Sequence, residues 1–262
     1  MKHATTRAAL TVALLGATLV SAVHAADEPK VHPAITAALA SPDRPEADRK
    51  RDEGRHYPQV LEFFGVRPAQ TLIEYTATGG VTAEVLARAV GPKGKVYMQN
   101  SPAWIEFAGA AGKKAVDDRL ANNRLPNVVR LDHVPEDLGL APASVDGAVM
   151  NMVFHDMFWM SKDVPSIVAS LYKELKPGGW VGVVDHAAPA GTGSSYAAQR
   201  SGQHRIDEDF AKKMFLDAGF KLDKESQMLR NPADDRQKPF FAPEFRDQPT
   251  DRFALRFVKP KS

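Results

Sequence analysis

The chain has 262 residues and no cysteine, so disulfides, thiolate metal sites and a lipid-modified cysteine are excluded. Its 34 basic residues nearly balance 32 acidic ones, and 44% of it is hydrophobic. That composition suits a globular core and gives no electrostatic footprint for nucleic acid or an anionic membrane.

Lys2, His3 and Arg7 precede an uncharged apolar run, Ala8 to Val23, and Val23-His24-Ala25 offers residues that a signal peptidase accepts. Residues 1–25 are therefore expected to be a secretory signal peptide cleaved after Ala25, sending a soluble protein to the periplasm. The run is shorter than the roughly 20 residues of a membrane span, so no stable membrane anchor is expected. No twin arginine accompanies it, which favours the general secretory route. Lys2 and Arg7 leave with the peptide, and the mature chain balances 32 basic against 32 acidic residues.

Residues 26–65 read as a helical extension, with a short helix over His32–Ala40 and a charged helix capped by Asp43 with Pro45 in its first turn. A further helix, marked by Val60, Leu61, Phe63 and Phe64, ends at Gly65. From residue 66 onward strands alternate with helices. Strands are predicted over Gln70–Tyr75, Lys95–Met98, Asn127–Leu131, Val145–Phe154 and Trp180–Asp185. Helices are predicted over Val81–Val90, Pro102–Leu120, Val164–Leu175 and Asp207–Ala218, the last closed by Gly219. Lys221–Met228 and Arg252–Lys259 read as a terminal antiparallel pair. Alternation of this kind implies a mostly parallel sheet with right-handed crossovers. Between the last two strands, 229–251 is a long Pro-rich segment with Phe240-Phe241, either a solvated loop with an aromatic plug or a lid.

Chemistry concentrates at the strand ends. Glu74 closes the first strand beside Gly79-Gly80, where a carboxylate meets turn amides or a cationic ligand group, and the next helix points its positive end into the same cleft. His155-Asp156 follows the fourth strand and Asp185-His186 ends the fifth, so both pairs are expected at the ligand edge, where histidine serves as a general base. Two histidines and two aspartates also make metal-ligand chemistry, but this reading assigns no metal ligands. Asp132-His133 ends the third strand, and His204-Arg205 is a lesser candidate. No G-x-S-x-G elbow and no phosphate loop ending in Gly-Lys-Ser/Thr occurs. The dinucleotide fingerprint G-x-G-x-x-G is also missing, which argues against a nicotinamide dehydrogenase.

Several stretches together resemble class I S-adenosylmethionine-dependent methyltransferases, and more narrowly a group of exported bacterial predicted methyltransferases. They are Ser41-Pro42-Asp43-Arg44-Pro45, Phe63 to Pro68, Gly91 to Tyr97, Phe154-His155-Asp156, Leu175 to Gly179, Asp185 to Gly191 and Arg252 to Pro260. The resemblance implies a seven-stranded Rossmann-like α/β sheet over 66–262, with helices on both faces and the last strand antiparallel. It implies S-adenosylmethionine as cofactor and a small-molecule or unidentified methyl acceptor, with no nucleic-acid partner expected. On it, Glu74, Thr76, Thr78, Gly79 and Gly80 form the first cofactor loop. Gln99-Asn100 meets the ribose, Asp132 approaches the adenine, and Asn151 to Asp156 lines the floor near the methyl group. His155 or His186, with Asp156, handles the acceptor's proton. Thr76 and Thr78 stand where the family has glycine, and Gln99 or Asn100 where it has an acid. Each change is expected to cost about 1–2 kcal/mol of cofactor binding. The alternative implied by these departures is a binding protein that keeps the fold without catalysis.

Overall fold

The structure, a computed structural model, describes residue 1, residues 30–246 and residues 248–261. Nearly all of the expected signal peptide, and its cleavage point, lie outside the described residues. Seven strands make one sheet: β1 (Thr71–Glu74), β2 (Lys95–Gln99), β3 (Val128–Leu131), β4 (Val145–Asn151), β5 (Leu175–His186), β6 (Lys221–Ser226) and β7 (Arg252–Val258). Their order is β3-β2-β1-β4-β5-β7-β6. β1 to β5 are mutually parallel, and β7 runs antiparallel to both β5 and β6. The helices are α1 (Pro33–Leu39), α2 (Glu46–Arg55), α3 (Tyr57–Phe64), α4 (Val81–Val90), α5 (Pro102–Leu120), α6 (Met157–Met160), α7 (Val164–Glu174) and α8 (Glu208–Asp217).

Alternation along the buried strands sorts their side chains onto two faces. Ile73, Val181, Val183 and Phe257 pack with Ile167 and Leu171 of α7 and Phe215 of α8. Leu72, Val96 and Trp180 pack on the other face with Val85 and Leu86 of α4, Phe64 of α3 and Ile35 of α1. The amino-terminal helices thus share the sheet's core. Gly182 of β5 shows why: a Cβ there would stand 2.4 Å from the Phe64 ring, so only glycine lets α3 lie this close. From β1 the chain winds outward through β2 and β3, whereas β4 begins the winding to the opposite edge. The crevice at the carboxyl ends of β1 and β4 is where such sheets bind ligands.

Some boundaries differ from the sequence expectation. β4 stops at Asn151 rather than Phe154, because Met152 takes a left-handed φ of 57° and turns the chain out of the sheet. The charged helix starts at Glu46, after an extended Pro45, without a side-chain cap. Asp43 instead offers its carbonyl to Arg124 Nη2 at 2.7 Å. His56, with φ 49°, separates α2 from α3, which begins at Tyr57, ahead of the apolar positions that signalled it. Gly109 kinks α5. No helix among the described residues is long and apolar enough to cross a membrane.

Candidate active site

The first strand ends at Glu74, which pairs with Val149 of β4 and Met98 of β2, so its carboxylate enters the crevice from the middle of the sheet. It is 4% exposed, and Oε2 has no hydrogen-bond partner. Burial pushes its pKa up to about 7, although the Thr82 hydroxyl, the Ala83 amide, Arg55 and Arg119 act the other way. Glu74 lines a cavity of about 280 Å³ together with Thr76, Thr78, Asn151 and His186, roofed by Arg51 and Arg55 of α2 and by Phe240.

The loop between β1 and α4 has an unusual backbone. Thr76 (φ 46°) and Thr78 (φ 52°) both occupy the left-handed region, which β-branched residues rarely enter. Gly80 (φ 72°) caps α4, and a Cβ there would be strained and stand 2.4 Å from Met98 Sδ, so any larger residue has to displace Met98. Two buried amides hold the threonines in place. The Thr76 amide donates to Gln99 Oε1 at 2.9 Å, and the Gln99 side chain donates on to the His133 carbonyl at 2.7 Å. The Thr78 amide donates to Asn100 Oδ1 at 2.8 Å, and Asn100 Nδ2 returns a bond to the Thr78 carbonyl at 3.0 Å. Gln99 and Asn100, which the family resemblance places at the ribose, are thus committed to the loop itself. A pocket of only about 40 Å³ lies behind them, between Thr78, Asn100 and α5.

The later strand ends bring three histidines together. The His155 ring is centred 5.7 Å from His186 and 5.4 Å from His204. Asp185, fully buried at the end of β5, accepts from the His155 amide at 2.8 Å and the His186 amide at 2.7 Å, and lies 2.6 Å from His155 Nδ1. His155 Nε2 lies 3.2 Å from Asp156 Oδ1 without hydrogen-bond alignment. Burial opposes a charge on His155, but Asp185 and Asp156 outweigh it and raise its pKa to about 10. Asp156 is held well below the usual carboxylate range: burial works against this, but His155 and His204 prevail. Asp156 raises the pKa of His204. His186 is the opposite case, held well below its ordinary value by burial and by the positive His155, Arg252 and Arg205. Its Nδ1 lies 2.6 Å from Thr250 Oγ1, and its ring stacks on Phe240 with centroids 4.7 Å apart.

Glu74, Thr76, Thr78, Asn151 and His186 therefore meet around one cavity. His155 and Asp156 lie one layer behind His186. Asp132 stays on the outer strand side, exposed and bonded to Arg130 Nε at 2.6 Å. Gly79 contributes through its carbonyl, which accepts from Arg119 Nε at 2.9 Å.

The described residues of the 229–251 segment form a strap rather than a free loop. Buried Arg205 pairs with buried Asp234 at 2.8 Å and donates to the Lys238 carbonyl, while Asp234 accepts the Asp251 amide at 2.6 Å. The strap carries Phe240 against His186 and borders a second, open cavity of about 480 Å³, lined by His56, His186, Phe245, Thr250 and Arg252 among others. His186 and Phe240 line both cavities. Arg51, Arg55, Thr250 and Arg252 line these cavities without a sequence signal for the site. Arg51 and Arg55 look like part of an exposed charged helix, and nothing local marks the other two.

Residues 74–183 match the family described as "Methyltransferase domain". No curated protein matches the chain by sequence. Among solved structures, a SAM-dependent methyltransferase from Aquifex aeolicus is 17% identical, covering 88% of this chain and 100% of its own, with a TM-score of 0.58. The cyclase SpnF is 16% identical over 82% of each chain, with a TM-score of 0.59. An arsenic(III) S-adenosylmethionine methyltransferase from Chlamydomonas reinhardtii is 20% identical over 87% of this chain and 74% of its own, with a TM-score of 0.53. The strand order and the antiparallel β7 give this chain the class I S-adenosylmethionine-dependent methyltransferase fold that these structures share, and residues 74–183 within it carry the domain match.

Proposed function

We propose that the chain is an exported S-adenosylmethionine-dependent methyltransferase whose acceptor is a small molecule entering the larger cavity. The observation that carries this reading is the buried, unpartnered Glu74 Oε2 in a cavity that also holds the α4 amino terminus and His186. The residues present suit the cofactor. An ionised Glu74 complements its cationic groups, and the amide end of α4, which has no side-chain cap, complements its carboxylate. Bound there, S-adenosylmethionine supplies an electrophilic methyl group on a sulfonium.

The chain's own residues then position and deprotonate the acceptor. Positioning accounts for most of the rate in a transfer of this kind. Phe240, stacked on His186, lines both cavities at their junction. His186 stands at that junction and is neutral at physiological pH. With Nδ1–H donating to Thr250 Oγ1, its Nε2 lone pair is free to take the acceptor's proton. The larger cavity, about 480 Å³, falls in the range of small-molecule sites. Calorimetric titration of the mature protein with S-adenosylhomocysteine tests the reading. Saturable binding is expected, weakened at least tenfold by Glu74→Ala, and a flat titration at millimolar ligand removes it.

A second reading, a binding protein that keeps the fold without transferring a methyl group, is favoured by the commitment of Gln99 and Asn100 to the threonine loop. On that reading, Thr76→Gly and Thr78→Gly combined with Asn100→Asp create S-adenosylhomocysteine binding that the native chain lacks. Native affinity in the low micromolar range overturns it. Export is supported by the composition of residues 1–25. It places the enzyme in a compartment to which a cytosolic cofactor must be delivered.

A further inference from the structure

We propose that His155, Asp156 and His204 form a binding site for one divalent first-row transition-metal ion of the Zn²⁺ class, beside the acceptor cavity and independent of methyl transfer. One nitrogen from each histidine and one carboxylate oxygen lie within 4.8 Å of one another. The two distances that share Asp156 Oδ1 are 3.2 Å to His155 Nε2 and 2.9 Å to His204 Nδ1. Tetrahedral ligands at metal distances of 2.0–2.1 Å stand about 3.3 Å apart, so a small expansion of the cluster admits the ion.

The other side of each ligand is already engaged. His155 turns Nδ1 to the Asp185 carboxylate at 2.6 Å, and His204 turns Nε2 to the Arg200 carbonyl at 2.8 Å. Asp156 Oδ1 is steadied by the Trp159 indole at 2.8 Å. Acceptors of this kind behind each histidine fix the ring and aim the remaining nitrogen, as outer-shell partners do in metal sites. The independent sign of a missing partner is His155 Nε2, which is buried and without a hydrogen bond although it faces the two other ligand atoms.

The arrangement differs from the ligand set that the sequence offers. Asp185 supports a ligand instead of binding, and His186 is turned to Thr250. Two histidines and one carboxylate leave a coordination position for water or substrate. The Asp156 and His204 side chains keep 17% and 13% exposure, which opens that position to solvent.

The test uses untagged mature protein, stripped with a chelator and dialysed against Zn²⁺ or Co²⁺. One equivalent of Zn²⁺ is expected by elemental analysis, and the Co²⁺ form is expected to show visible bands of four- or five-coordinate nitrogen and oxygen ligation. His204→Ala and, separately, Asp156→Asn are expected to weaken binding at least 100-fold, with the metal-free circular dichroism spectrum unchanged. His204→Gln serves in place of a variant that fails to fold. His186→Gln is expected to retain one equivalent. Binding well below one equivalent at tenfold excess metal, or wild-type affinity in the His204 and Asp156 variants, overturns the proposal.

Discussion

Glu84→Gln is expected to destabilise the protein by about 3 kcal/mol at pH 7, because Glu84 is the fully buried hub of an arginine cluster that fixes the roof of the site. Its oxygens accept from Arg88 at 2.8 Å, Arg119 at 2.5 Å and Arg124 at 2.7 Å. Arg119 continues to Asp48 of α2 at 2.6 Å and to the Gly79 carbonyl, so one carboxylate ties α4, α5, α2 and the loop between β1 and α4 together. Burial works against the charge, but Arg124, Arg88 and Arg119 lower the pKa to about 2 from 4.5. At 1.36 kcal/mol per tenfold change in proton affinity, that shift corresponds to about 3 kcal/mol. Since the folded pKa is the lower one, the contribution is complete above pH 4.5 and falls away as pH drops toward 2. Denaturant melts at pH 7 and pH 3 measure it. The gap between wild type and variant is expected to shrink to about half at pH 3, and at pH 7 the melting temperature to fall by about 6–12 °C. A loss below about 1 kcal/mol at pH 7, or a gap unchanged at pH 3, refutes the reasoning.

Two further outcomes rest on the geometry of the site and a third on the sequence. Glu74 has its folded pKa raised to about 7, so its ionisation costs stability as pH climbs from 4.5 through 7. Glu74→Gln should therefore melt higher than wild type at pH 8 and equally at pH 4 while losing ligand affinity; a lower melting point at pH 8 counts against an uncompensated buried carboxylate. His155→Gln removes an imidazolium whose stabilisation is complete below pH 6.5 and is lost as pH rises through about 10, so its deficit should be large at pH 6 and small at pH 10.5 in metal-free protein. Mass spectrometry of the periplasmic fraction should find a chain beginning at Ala26, and a full-length chain retained in the cytosol removes the export reading.

Much of the fold was legible because periodicity and turn residues are local signals. The alternation of β1, β4 and β5 with α4 and α7, and the Gly91-Pro92 stop after α4, need no tertiary knowledge. The missed boundaries were tertiary in origin. Val153 and Phe154 read as strand because they are buried, yet they are buried after the chain has turned at Met152. At the site, the strand-end residues Glu74 and His186 could be placed together from topology, whereas Asn151 entered only through the family resemblance, since its strand was expected to run on to Phe154. The partners of Gln99 and Asn100 could not, since an amide that reads as a ribose ligand is indistinguishable in sequence from one that holds a loop 22 or 23 residues away. Arg252 and Thr250 reach His186 only because β7 returns antiparallel along β5.

That return also explains why neighbouring histidines differ in protonation. His155 and His186 both sit against Asp185, but only His155 directs a ring nitrogen at it; His186 meets the carboxylate through its backbone amide. Its ring faces a hydroxyl on one edge and Phe240 on one face, and burial together with the positive His155, Arg252 and Arg205 outweighs Asp156, which acts the other way. Nitrogen-15 imidazole spectra of metal-free protein should show His186 as a single neutral tautomer from pH 6 to 8 and His155 doubly protonated over the same range. Thr250→Val should leave His186 neutral while releasing the tautomer, because the hydroxyl orients the ring and does not set its charge. A charged His186 at pH 7 would leave the junction between the cavities without a base and refute the role assigned to it.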